Sequence, residues 1–132
     1  MNTRSVLSSL VLSLGVSAVA LTGCGSSSSG STKATIPPDT GLEVIAGPGI
    51  RWDKSDYTAT AGAVKVALLN HDDQLHTMVI RAADGTTVQP GELEVAKSGA
   101  IATGTYDLAP GTYKILCLVP GHEAMKATLT VK

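Results

Sequence analysis

The stretch Tyr113-Lys-Ile-Leu-Cys-Leu-Val-Pro-Gly-His-Glu-Ala-Met-Lys-Ala-Thr-Leu-Thr-Val131 decides how the chain is read. Two strand-like runs frame it. In the first, Tyr113, Ile115 and Cys117 share a face. In the second, Met125, Ala127, Leu129 and Val131 alternate with Lys126, Thr128, Thr130 and Lys132. Side chains of a strand alternate between its two faces, so this pattern predicts two half-buried strands. Between them lies the loop of residues 118–124. Cys117, His122 and Met125 bring a thiol, an imidazole and a thioether within nine residues of one another.

Upstream the same alternation recurs. Residues 63–69 read as a strand with Val64, Val66 and Leu68 on one face. A polar loop, residues 70–75, leads to a strand over 76–82 with His76, Met78, Ile80 and Ala82 together. Residues 42–46 and 99–108 read as further strands, and 50–52 and 57–60 as short strand pieces. Residues 86–98 carry no clear period, and 92–97 fit a strand or a helical turn equally. The total is about seven or eight short strands separated by turn signals, with no long helix. This predicts an all-β domain, an antiparallel β-sandwich or small barrel. Tyr113, just after Pro110-Gly111, resembles a tyrosine corner, which favours a Greek-key β-sandwich. Trp52 is read as packing.

The chain has 132 residues, enough for one domain. Its net charge of −1 gives no reason to expect nucleic acid as a partner. Of its two cysteines, Cys24 and Cys117 stand in unlike surroundings, so separate uses are expected rather than a disulfide. Residues 1–23 fit a secretory signal: Arg4 precedes an apolar run too short to span a bilayer comfortably. That run ends in Leu21-Thr22-Gly23-Cys24, which resembles the bacterial lipobox and implies that Cys24 carries a lipid. Residues 24–41 are rich in Ser, Gly and Pro, and so read as a flexible tether with a reach of roughly 20–25 Å. The folded domain is expected over residues 42–132.

Strand phase adds a further residue to the C-terminal cluster. His76 begins its strand on the face of Ile80, Cys117 ends its strand on the face of Ile115, and Met125 begins its strand on the face of Leu129. All three point inward at strand ends, and His122 lies in the loop between two of those ends. His76, Cys117, His122 and Met125 can therefore converge at one end of a sandwich. Two imidazoles, a thiolate and a weak thioether suit a mononuclear blue-copper site. Taken singly, each has an ordinary reading: a polar strand end, a small buried thiol, a core methionine. The combination and its spacing favour the metal. His71 reads as solvated, and Asp72 and Asp73 as a polar loop.

Asn70…His76, Pro110-Gly-Thr-Tyr113 and Cys117-x4-His122 followed by Met125 and Leu129-Thr-Val131 resemble the cupredoxins, the plastocyanin/azurin/amicyanin-like blue copper proteins. The resemblance covers residues 42–132 and is carried mainly by 70–82 and 110–131. It implies a Greek-key sandwich, one type 1 copper, and His76, Cys117, His122 and Met125 as its ligands. It also implies supporting roles for Asn70 and Thr77. The family often has Asn where this chain has Thr77, whose hydroxyl can tie the two ligand loops and whose N–H can donate to the Cys117 sulfur. Only Glu123 and Ala124 separate His122 from Met125, fewer than in many relatives with a Pro-Gly-His loop. In the family the second histidine has its ring edge at the surface among apolar residues. Leu118, Val119, Pro120 and Ala124 are the corresponding docking patch for a redox partner.

The leading function is a monomeric, membrane-tethered one-electron carrier, outside the cytoplasmic membrane and anchored through Cys24, that is not an enzyme. The alternative is a copper-delivery protein supplying an extracytoplasmic cuproenzyme, disfavoured by the lack of a Met- or His-rich tract. A multicopper or nitrite-reducing enzyme would need further histidines. A metal-free adhesion module would leave the four residues unexplained.

Overall fold

The computed structural model describes residues 34–132, and the signal and Cys24 expectations lie outside them. Eight strands form: β1 (Leu42–Ala46), β2 (Asp56–Ala59), β3 (Gly62–Asn70), β4 (His76–Arg81), β5 (Leu93–Val95), β6 (Ile101–Leu108), β7 (Gly111–Leu116) and β8 (Lys126–Val131). There is no helix among the described residues, so none is long and apolar enough to cross a membrane. The strands build two sheets, β1-β3-β6 and β2-β8-β7-β4-β5. The all-β sandwich expected from alternation is the fold observed.

Two features differ from the expectation. The pairing is not wholly antiparallel, because β1 runs parallel to β3 and β2 parallel to β8. Local alternation reports which face a residue takes but is blind to the direction of a partner strand. Residues 50–52 do not form a strand piece: Trp52 makes a single bridge to Ala46. The Pro48 and Gly49 turn leaves too little extended chain there to pair further. In the ambiguous segment, Leu93–Val95 is a strand, pairing His76 with Val95 and Met78 with Leu93.

The inner faces meet in one core. Val44, Val66, Leu68, Tyr106 and Leu108 come from the smaller sheet, and Met78, Ile80, Ile115 and Leu129 from the larger, all buried. Trp52 is buried with them. β4 is buried along five consecutive residues, His76 to Ile80, so it lacks the two-faced pattern of its neighbours. Its position between β7 and β5 explains part of this, since both of its edges are paired. The Tyr113 hydroxyl donates to the Ala109 carbonyl at 2.9 Å, closing the predicted tyrosine corner. Ahead of β1, Gly41 N–H donates to the Lys65 carbonyl and Lys65 pairs with Asp39, which fastens the approach to the domain along β3.

Candidate metal centre

The strands end so that three donor side chains meet. His76 opens β4, Cys117 follows the last residue of β7, and His122 lies in the β7–β8 loop. Their ligand atoms all lie within 4.8 Å of one another, and all three residues are buried. Cys117 Sγ is 3.7 Å from His122 Nδ1. The His76 and His122 rings sit 4.9 Å apart between centroids, tilted by 41°. Cys117 forms no disulfide among the described residues.

The loop that carries His122 is two successive tight turns. His122 N–H donates to the Val119 carbonyl at 3.0 Å, closing a turn over Pro120 and Gly121. Pro presets the φ of the second position and Gly121, at φ +89°, supplies the positive φ of the third. Met125 N–H then donates to the His122 carbonyl at 2.8 Å. Glu123 and Ala124 are the central residues of this second turn, which accounts for the short spacer: two residues are what a tight turn needs. Cys117 N–H donates to the Met125 carbonyl at 3.1 Å, so the base of the loop is latched and Met125, 1% exposed, sits beside the cysteine backbone. The Gly121 N–H donates to the Glu123 carboxylate. The Glu123 backbone N–H and that of Gly121 hold this carboxyl below its ordinary range, with a smaller contribution from His122.

The two expected supports fall beside the ligands. Thr77 is buried, its hydroxyl accepts the Leu118 N–H at 3.0 Å and lies 3.9 Å from Cys117 Sγ. The hydroxyl therefore joins the two ligand segments and also approaches the sulfur. Asn70 is fully buried. Its amide donates to the carbonyls of Gln74 at 2.7 Å and Val95 at 3.0 Å, and its oxygen accepts the Asp72 N–H at 2.7 Å. It thus shapes the loop entering His76. His71 is exposed and is not in the cluster, its backbone N–H instead meeting the Ala46 carbonyl.

Asp72 stands close behind the cluster. Asp72 is more than a polar loop residue: its Oδ2 lies 3.7 Å from His76 Nε2, with the carboxylate side chain only 12% exposed. Burial pushes the Asp72 carboxyl up, but N–H donors from Gln74, Gly49 and Asp73, with His76, outweigh this and hold it low. The signal available was the Asp-to-His spacing of four residues, which acquires meaning only once the loop folds back.

Burial pushes His76 below the ordinary imidazole range, and the charge of His122 adds to this, while Asp72 opposes it. An unfolded chain lets this ring titrate at its ordinary value of 6.5. Below that value the unfolded state binds the proton more readily than the folded one, so stability rises with pH through this window and falls as pH drops. Urea midpoints of the metal-free protein should therefore decline between about pH 7.5 and 5.5. His76→Gln should flatten that decline.

The arrangement is that of a cupredoxin-like β-sandwich with a buried Cys and two His at one place. Solved structures agree on the fold. The chain is similar to a dithionite-reduced auracyanin from the photosynthetic bacterium Roseiflexus castenholzii, at 25% identity and a TM-score of 0.56, covering 69% of this chain and 95% of that one. A purple cupredoxin from Nitrosopumilus maritimus matches at 16% identity and 0.54, covering 69% and 99%. A reduced Cu(I) form of an amicyanin mutant matches at 15% identity and 0.54, covering 76% and 89%. No protein-family model matches the sequence, and no curated protein sequence does.

The donor set also fits the metal chemically. A soft thiolate with two imidazoles suits copper, and zinc shares part of this preference. Both ring nitrogens of His76 are buried without a hydrogen-bond partner, so a metal would satisfy a polar atom that is otherwise costly to bury.

Proposed function

We propose that the protein is a one-electron carrier with a mononuclear type 1 copper centre. His76, Cys117 and His122 would hold the metal, with the Met125 thioether as a further, weaker donor. Copper when bound supplies the Cu(II)/Cu(I) couple. The observation that carries the reading is a buried thiol and two buried imidazoles with ligand atoms within 4.8 Å, at the end of a sandwich similar to the auracyanin and amicyanin structures. The protein's own contribution is restraint. Cys117 is latched to Met125, Thr77 ties β4 to the cysteine loop, and His76 is fixed in a strand paired on both sides. A site that moves little between oxidation states needs little reorganisation. Burial of all three donors also favours a held metal over an exchangeable one, which separates this reading from copper delivery.

Lipid attachment at Cys24 would tether the carrier outside the cytoplasmic membrane of a bacterium, and the protein acts there as a monomer docking transiently with redox partners. Leu118 is 45% exposed, and Pro120 and Ala124 are exposed beside it. His122 is only 5% exposed, so the apolar surface here belongs to these residues more than to the ring. Val119 packs partly on the core, which makes Leu118 the cleaner probe. Leu118→Lys should slow electron transfer to a partner about tenfold while leaving the visible spectrum unchanged, as expected for a docking contact of ~1.4 kcal/mol. Equal transfer rates in stopped flow would remove the patch from the scheme.

The experiment for the function itself is Cu(II) loading of the purified chain followed by a visible spectrum and a redox titration. An intense blue or green band, reversible on reduction, is the expected result. A colourless protein that takes Cu(I) and passes it to a chelator would favour delivery instead. Bound metal is identified by mass spectrometry, because zinc fits the same donors.

A further inference from the structure

His76 enters the cluster with a carboxylate behind it. Of the two ring nitrogens, each buried and without a hydrogen bond, Nε2 has Asp72 Oδ2 at 3.7 Å. The carboxylate is held there by contacts from two loops. Its Oδ2 accepts the Gly49 N–H at 2.8 Å, and its Oδ1 accepts the Gln74 N–H at 3.2 Å. Asn70 Oδ1 accepts the Asp72 N–H, which fixes the backbone from which the side chain projects. Packing leaves no slack: at Gly47, φ +84°, an added Cβ would come within 2.8 Å of the Asp72 Cβ. The β1–β2 loop, the Asn70 turn and Asp72 therefore form one support behind the ring.

We propose that Asp72 is a positioning residue for the metal centre, its carboxylate favouring the tautomer with the His76 proton on Nε2 so that the Nδ1 lone pair is left for a metal, and its negative charge favouring the oxidised state. The physical reasons are two. A neutral imidazole carries one N–H, and an acceptor at Nε2 places it there, leaving Nδ1 as the donor atom. A carboxylate partner also makes the ring a stronger donor and adds a negative charge near the metal, which stabilises Cu(II) more than Cu(I).

This inference rests on the copper reading, and the test separates the two. In the metal-free wild type, nitrogen-15 NMR of the His76 ring at alkaline pH should show the Nε2–H tautomer. In Asp72→Ala and Asp72→Asn that preference should be lost or mixed. In the copper-loaded Asp72→Asn protein, Cu(II) should bind about tenfold more weakly relative to Cu(I). For one electron that is a rise in reduction potential of about 59 mV. Asp72→Asn keeps the side-chain shape if Asp72→Ala fails to fold. An unchanged tautomer in a folded variant overturns the positioning role. An unchanged potential overturns the charge effect. A lower unfolding midpoint with tautomer and potential both unmoved reduces Asp72 to a structural residue and overturns the proposal. If the wild type never acquires an intense copper band, the copper reading fails, while the metal-free tautomer still decides the role of Asp72.

Discussion

Cys117→Ser should abolish the copper colour and weaken copper binding by roughly 100-fold or more. Outer supports of a metal site already cost about 10–100-fold when removed, and a direct sulfur donor exceeds its supports. The reason is electronic rather than steric. Serine nearly matches cysteine in shape, but its oxygen is hard, holds its proton at neutral pH and offers no covalent sulfur orbital. Cys117 is 6% exposed and borders the core, so the substitution exchanges one small side chain for another and the sandwich should survive. Far-UV circular dichroism should be unchanged, while titration with Cu(II) should show no intense visible band. A coloured, tightly binding serine variant would place the metal elsewhere.

Asn70→Leu should be the most damaging single change outside the donors. The side chain is fully buried and makes three hydrogen bonds to backbone groups of Asp72, Gln74 and Val95. Leucine is similar in size but pairs with none of them. Each buried backbone group left without a partner costs roughly 1–3 kcal/mol. Some of the three can reach water near the loop, so the net loss should be about 3–4 kcal/mol rather than the full sum. Because Asp72 hangs on this turn, copper affinity should fall along with stability. Urea denaturation measures the first effect and competition with a copper chelator the second. Asn70→Asp provides an intermediate case, since it keeps an acceptor for Asp72 N–H and loses both donors.

Much of this was legible in the sequence because the decisive signals are local. The period of two in residues 126–132 and the inward phase of His76, Cys117 and Met125 depend only on the alternation of side chains. What could not be read was set by contacts between distant segments. The parallel pairing of β1 with β3 and of β2 with β8 leaves no mark on either strand alone. Val79 and Thr77 are buried although alternation assigns them outward. Asp72 looked like one of several loop carboxylates until Gly49, from another loop, was brought against it.

The pairing of β2 with β8 has a kinetic consequence. It joins residues 56–59 to 128–131, so the larger sheet acquires that strand only through one of the widest loop closures in the domain. The turn that carries His122 and Met125 is short-range and can form early, but His76 arrives on β4, about forty residues away in sequence from Cys117. Folding dominated by such long-range strand pairing belongs in the millisecond-to-second range. During that interval an incoming metal ion meets only part of its donor set. Capture of copper by the complete donor set should therefore lag behind formation of the β7–β8 turn and coincide with closure of the sheet, a sequence of events that stopped-flow absorbance can time against tryptophan fluorescence from Trp52.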